Sequence, residues 1–454
     1  MALGFPLFRS APMLALSFRQ RRRVLVAGLI STAVFPLAIT GATAAVPDVT
    51  AQLSGARVLG PWIVLAYNGL FAAALLLAGA TADRTARTRF FAIGNIVVAA
   101  TGVLSALAPD LLSLVALRAV AGIGAAMCAA GGSSMVLAVY PPGERRRVYG
   151  YTGAVLGSSL ALGPVVAQAL MAIGGWPLVF VAPAAVAAIA ALATIALPGL
   201  RSPEVPDNFD LAGAVLFGVT IAAAVTALGL GLGACISWWG PGALILVAAA
   251  SATGLIRVER RASNPAIPVD LLRIPAYRAY AFATGAFMGM LVVGLTVLPQ
   301  LGSVQSMGPG EAAVMLSLLT VPSMVLPLLA ARLARRRARQ LVTTTLFACT
   351  LTTAILQVTN HPAALLVAAG VIGLCLGLTE GVPDGQALNY VPSQRGGAGA
   401  ALFSTTRMSL ETLTLAAATG VMAAFGPSSG MAVAGAMCLT AALIVHQAVP
   451  SHDR

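Results

Sequence analysis

Long apolar runs alternate with short polar or Pro/Gly-rich breaks along this chain. Fourteen runs are long enough to be helices, near residues 24–46, 58–80, 90–108, 111–139, 148–173, 177–198, 211–233, 239–256, 279–301, 312–334, 341–358, 362–389, 398–425 and 429–448. Apolar runs of about 17–25 residues match the ~30 Å hydrocarbon layer of a bilayer, which soluble cores do not require. The pattern predicts an all-α integral membrane protein.

Composition agrees. Hydrophobic residues make up 59% of the chain and charged residues 9%, with a mean hydropathy of +0.92. Soluble domains are about 45–50% apolar. All 27 basic residues are arginine. Without lysine the chain cannot form a Walker A loop, so an ATP motor of that type is excluded. The net charge of +13 does not indicate nucleic-acid binding, because the arginines occupy short loops between spans instead of one soluble face. With a cytoplasmic N-terminus, the tail, the even-to-odd loops and the C-terminus, together with Arg332 at the inner end of the tenth run, hold 24 arginines and the outside holds Arg57 alone. The positive-inside rule therefore predicts fourteen spans with both termini cytoplasmic.

Smaller features add little chemistry. Arg21 to Arg23 followed by an apolar stretch and Ala42-Thr43-Ala44 has the outline of a signal peptide, but the run is long and thirteen more follow. The five cysteines are scattered inside apolar segments without ligand spacing and read as packed free thiols. His361, His446 and His452 have no metal-site spacing, and no metal is expected.

An internal repeat organises the spans. AGATADRTAR (78–87) has a partner in AARLARRRAR (330–339), each expected to leave a helix for a short basic loop. The expected layout is a cytoplasmic tail (1–23), an N-terminal six-helix half (24–198), a linker with two extra transmembrane helices (199–276), a C-terminal six-helix half (277–448) and a second tail (449–454). Parallel six-span repeats are a plan of alternating-access transporters.

Several motifs carry a family resemblance. Gly79, Ala82, Asp83, Arg84 and Arg87 resemble the signature GxLADRxGRR of the major facilitator superfamily. Arg118-Ala-Val-Ala-Gly122-Ile-Gly124-Ala-Ala126 resembles its fourth-helix RxxQGxGxA, and Gly150, Gly163 and Pro164 fit part of the antiporter motif on the fifth helix. Trp62 to Tyr67, Glu259 to Leu271 and Leu298 to Gly302 resemble the fourteen-helix drug:proton antiporter branch. The resemblance implies the major facilitator fold and makes Asp83, Arg84 and Arg87, with Gly79, a cytoplasmic gate. One departure stands out. The branch's first-helix LDxTxVNxALP is matched by Thr40, Ala45 and Pro47, but Ala38 fills the slot of its Asp and Thr43 that of its Asn.

Proton coupling must then use another residue or be absent. Ionisable groups inside spans cost about 2.5 kcal/mol or more and mark substrate or ion paths by default. Glu380 and Asp384 lie four apart on the twelfth span and are expected to share a helix face, with Pro383 interrupting the backbone between them. Gly373, Gly377 and Gly381 form a stripe for close helix approach. Arg407 and Glu411 are also i and i+4, either an ion pair or a site for Glu411 to replace the lost first-helix carboxylate. Arg118 needs a partner from another helix; resemblance makes it a proton-relay or cavity residue. Gly163-Pro164 reads as a bend sealing a two-helix seam. Tyr67, Asn68, Phe287, Met288, Met290 and Gln300 are weak candidates for cavity lining.

The expected function is secondary-active export of hydrophobic or amphiphilic small molecules by proton-coupled antiport. The alternative is a uniporter, or an importer or symporter of a small organic metabolite. No cofactor is expected beyond the proton gradient. The expected partners are a small-molecule substrate and the lipid bilayer, not nucleic acid, with the chain a monomer in a bacterial cell membrane. The short loops leave almost no aqueous domain in which to build an enzyme.

Overall fold

The computed structural model describes residues 17–56, 59–140, 142–195, 197, 200, 210–231, 239–261, 269–359, 361–391 and 396–449. Among them are fifteen α-helices: α1 (Phe18–Gln52), α2 (Trp62–Arg84), α3 (Arg87–Ala106), α4 (Leu111–Val139), α5 (Pro142–Gly174), α6 (Trp176–Thr194), α7 (Leu211–Gly231), α8 (Trp239–Glu259), α9 (Pro275–Val304), α10 (Pro309–Val325), α11 (Pro327–Leu356), α12 (Pro362–Thr379), α13 (Val382–Asn389), α14 (Gly396–Phe425) and α15 (Pro427–Ala448). Eleven stretches are long and apolar enough to cross a membrane, one of them running from α12 into α13, and 162–174 and 310–325 are shorter apolar helices. Hydrocarbon offers no hydrogen bonds, so a helix, which pairs its backbone internally, is the economical spanning form.

Local chemistry sets many of the ends. Ser17 and Gln20 form a capping box at α1, and Asp110 accepts the Ser113 amide at 2.8 Å to start α4. Proline opens α9, α10, α11, α12 and α15, where its missing N–H costs nothing. Gly175 (φ 72°) and Gly426 (φ 91°) make the tight turns between α5 and α6 and between α14 and α15.

Helices α1 to α6 pack on one another, α2 and α3 against α4 and α1 against α5 and α6. Helices α9 to α15 do likewise, α9 against α14 and α15 and α12 against α10 and α11. The two groups meet where α5 touches α10, α2 touches α14 and α1 touches α9. Helix α7 lies against α2 and α14, and α8 packs chiefly on α7. Large apolar side chains such as Ile173, Leu246 and Phe425 point outward, as a hydrocarbon solvent allows.

The apolar runs coincide with helices, with three corrections. The run 312–334 is not one helix: α10 stops at Val325 and Pro327 begins another. The repeat segment 330–339 does not leave a helix for a loop either. It lies inside α11, whose backbone departs from helical only at Arg337 (φ −136°, ψ 32°). Apolarity continues across Pro327, so periodicity alone could not reveal that break, whereas the basic run 335–339 interrupts the apolar pattern without ending the helix.

The third correction concerns 362–389. Helix α12 ends at Thr379, Glu380 is its C-cap (φ −52°, ψ 119°) and Gly381 takes φ 73°, after which α13 begins at Val382. Glu380 and Asp384 therefore do not share one continuous helix face. The break precedes Pro383, which sits in the first turn of α13 where proline is tolerated. The glycine stripe divides accordingly. A Cβ on Gly373 or Gly377 would strike the Leu318 or Pro322 carbonyl of α10, whereas Gly381 has open space around it and serves the backbone turn.

Two substitutions test this. Gly377→Val is expected to lose about 1–3 kcal/mol or more through overpacking against α10, read as a lower melting temperature in detergent, while Gly370→Ala, with nothing within 4 Å of its added Cβ, stays near wild type. Gly381→Ala has equal room but the wrong backbone, and is expected to cost about 1–2 kcal/mol; a melting temperature equal to that of Gly370→Ala would refute the positive-φ account.

Candidate functional site: two charged centres in the bundle

The break between α12 and α13 opens a cleft with about 220 Å³ of atom-free space. Thr284, Phe287 and Met288 of α9 face Thr379, Glu380, Gly381, Pro383 and Asp384 across it. Part of this space is open to solvent, and the room left for a bound group is about 10 Å³, far below the ~300 Å³ at which small-molecule pockets begin. The break thus keeps the two carboxyl residues on one wall, although for a different reason from a shared helix face. Glu380 Oε2 is buried without a hydrogen-bond partner. Ser323 of α10 lies beside Glu380, but its Oγ is itself buried and unpartnered, so the pair stands outside good hydrogen-bond geometry.

Arg407 and Glu411 bring α14 to the same neighbourhood. Glu411 is buried, and Arg407 Nη2 approaches the Met408 sulfur at 3.7 Å. Arg407 acts electrostatically on Glu411 and also on Glu380 and Asp384. Arg407 thus lies within electrostatic range of three carboxyls, Glu380 at the end of α12, Asp384 on α13 and Glu411 on its own helix.

The second centre is Arg118 on α4, 4% exposed. Its partners are not acids. Nε donates to the Ile63 carbonyl and Nη2 to the Ala38 carbonyl, both at 3.1 Å, and the guanidinium lies 4.3 Å from the Tyr67 ring centroid and 5.6 Å from that of Phe180. Gly122, one turn along α4, makes this possible. A Cβ there would strike the Tyr67 carbonyl, so its absence lets α4 close on α2. One side chain thereby ties α4 to α1 and α2.

Other candidates are placed as follows. Gly163 meets the Thr40 side chain, and Pro164 is buried beside it, which fits a seam between α5 and α1; the surroundings of Gly150 lie outside the described residues. A Cβ added at Gly79 would meet no neighbouring element within 4 Å. Arg84 is exposed at the end of α2, and the Arg87 amide donates to the Leu200 carbonyl at 2.8 Å, tying the α2–α3 connection to the chain beyond α6. The side chain of Asp83 lies outside the described residues. Of the weak lining candidates, Phe287 and Met288 reach the Glu380 cleft and Tyr67 reaches Arg118. Asn68 is buried with both amide atoms unpartnered beside α14, where Thr412 Oγ1 lies 3.5 Å from the Asn68 carbonyl. Met290 is fully buried core, and Gln300 turns back to the Thr296 carbonyl of its own helix.

Sequence reasoning missed Thr284, Thr379 and Ser323 around Glu380, and Phe180 beside Arg118. Single hydroxyls and one phenylalanine carry no sequence signal. Gly381 was legible in principle, since Gly followed two residues later by Pro is a helix stop-and-start pattern.

Comparison with known proteins places this architecture. The family model described as Major Facilitator Superfamily matches residues 28–410. The multidrug resistance protein Stp of Mycobacterium tuberculosis is 26% identical over 390 residues, covering 84% of this chain and 72% of that protein. The puromycin resistance protein pur8 of Streptomyces alboniger is 31% identical over 268 residues, 57% of this chain and 49% of that one. The tetracenomycin C resistance and export protein of Streptomyces glaucescens is 27% identical, over 57% and 48%. Among solved structures, a crystal structure of the peptide transporter POT superposes with a TM-score of 0.69 over 93% of each chain at 16% identity, a likeness of fold alone. With its family model spanning most of the helices, the chain belongs to the major facilitator superfamily and is a multi-pass membrane transporter, not an enzyme.

Proposed function

We propose that the protein exports hydrophobic or amphiphilic small molecules in exchange for protons, by alternating access. The observation that carries this reading is the group formed by Glu380, Asp384 and Glu411 around Arg407, beside a broken helix. In a water-poor site one arginine balances one carboxylate, and the remaining carboxyls are stable as neutral acids or opposite a cation. Proton binding and binding of a cationic substrate then compete for the same groups. The resistance and export functions in the names of the relatives point to efflux. A proton crossing ~150 mV releases about 3.5 kcal/mol, enough for a roughly 300-fold gradient at one-to-one stoichiometry.

The proposed topology has fourteen spans with both termini cytoplasmic, which puts the α2–α3 connection inside. Asp83 is proposed to favour a facing helix N-terminus there, with Arg84 or Arg87 pairing across the seam to close the inner side.

A uniporter or importer is the second reading, favoured by Ala38, since α1 carries no carboxylate facing Arg118. Inverted membrane vesicles loaded by the proton pump separate the two, with ethidium as the fluorescent cationic probe. Wild type is expected to accumulate ethidium and lose it when a protonophore is added; a uniporter never accumulates it. The Glu380→Gln/Glu411→Gln variant is expected to bind ethidium yet fail to accumulate it, and undiminished accumulation would refute the coupling assignment. Asp83→Asn is expected to fold normally and to increase labelling of a cysteine placed on the cytoplasmic side of the cavity; unchanged labelling would count against the gate.

A further inference from the structure

Two buried polar atoms from different helices are left over at the end of α12. Glu380 Oε2, on the C-cap of α12, and Ser323 Oγ, on α10, each lack a hydrogen-bond partner, and Ser323 is 3% exposed. Buried polar groups in folded proteins are nearly always paired, so two neighbouring orphans call for an explanation.

The helices hold the pair side by side. Gly377, one turn before Glu380, lets α10 come so close that an added Cβ would strike the Pro322 carbonyl and lie 3.0 Å from the Ser323 nitrogen. Helix α10 is also easy to displace at this turn. Pro322 cannot donate to the Leu318 carbonyl, and the helix ends two residues beyond Ser323, at Val325. The described charges that act on Glu380 are Asp384 of α13 and Arg407 of α14, and Arg407 is shared with Glu411. Thr284, Phe287 and Met288, which α9 presents to the cleft, carry none.

We infer that Ser323 is a positioning residue for Glu380, its hydroxyl donating to the carboxylate whenever Glu380 is ionised. The inference rests on the reading of Glu380 as a proton-carrying group. A serine hydroxyl can donate or accept, and its bond to an ionised oxygen is the stronger of the two. Ser323 therefore favours the state in which Glu380 has given up its proton. A small rotation of the Ser323 side chain, or a small shift of the weakened α10 turn, brings the two atoms into line.

The test follows proton release on ethidium addition to the purified full-length protein in detergent, as a function of pH. Release from Glu380 requires a proton there beforehand, so it fades as pH rises. Ser323→Ala is expected to extend release to higher pH by about one unit, the size expected for a lost hydrogen bond to a charged group. Ser323→Cys keeps the size of the side chain but donates weakly, and is expected to behave in the same way. Ser323→Thr keeps a hydroxyl and is expected to restore the wild-type profile. In the Glu380→Gln background, where release is reduced, adding Ser323→Ala is expected to change nothing further. A Ser323→Ala profile that coincides with wild type, while Glu380→Gln still loses release, overturns the role of Ser323 and leaves the coupling assignment standing. A Ser323→Ala shift that persists in the Glu380→Gln background overturns it as well. Release by Glu380→Gln equal to that of wild type removes Glu380 from the coupling group, and this inference with it.

Discussion

Hydrocarbon cannot satisfy a peptide group, and the architecture follows from that constraint. Backbone polarity at membrane depth must be paired inside helices, or exposed only where protein or a cavity receives it. The chain obeys with long helices whose ends are set by caps, prolines and positive-φ glycines. Where α12 stops at Thr379 and α13 starts at Val382, the interruption falls beside a cleft. The break that the membrane makes expensive coincides with Glu380 and Asp384, the charges that the membrane also makes expensive. Both costs are concentrated in one place, which is what a functional centre requires.

Charge is distributed unequally between the two helix groups. Around Arg118 a positive group is held by carbonyls and aromatic faces, with no acid among the groups described as acting on it. Around Arg407 three carboxyls share one cation. In the proposed mechanism Glu411 takes the place of the carboxylate that Ala38 does not provide. No carboxylate of α1 is recorded acting on Arg118, whereas Glu380, Asp384 and Glu411 lie at the end of α12, on α13 and on α14. In the proposed mechanism the second group of helices handles cations and protons, and Arg118 braces the first.

Much of this was legible in the sequence because membrane helices write a strong one-dimensional signal. Apolar runs located most of the helices, with the boundaries from 312 to 389 misplaced, and the rarity of charge inside them singled out Arg118, Glu380, Asp384, Arg407 and Glu411. What was hidden lies in geometry that composition does not record. Leu326-Pro327 interrupts a run that stays apolar on both sides, so that break leaves no dip in hydropathy, and at Glu380-Gly381 the rise in polarity does not by itself show where the backbone turns. The partners of Arg118 are backbone carbonyls on α1 and α2, and every residue has a carbonyl. The gathering of three carboxyls around Arg407 depends on how α12, α13 and α14 lie together, which the spacing of Arg407 and Glu411 reveals only in part.

The central claim is that protons and substrate compete for the carboxyl group around Arg407. Proton release from the detergent-purified protein, followed with a pH dye in weakly buffered solution as ethidium is added, measures this competition directly. The account expects stoichiometric release in wild type and none in Glu380→Gln/Glu411→Gln, with ethidium binding retained in both. Ethidium binding by wild type without any proton release, or equal release by the double variant, would contradict it.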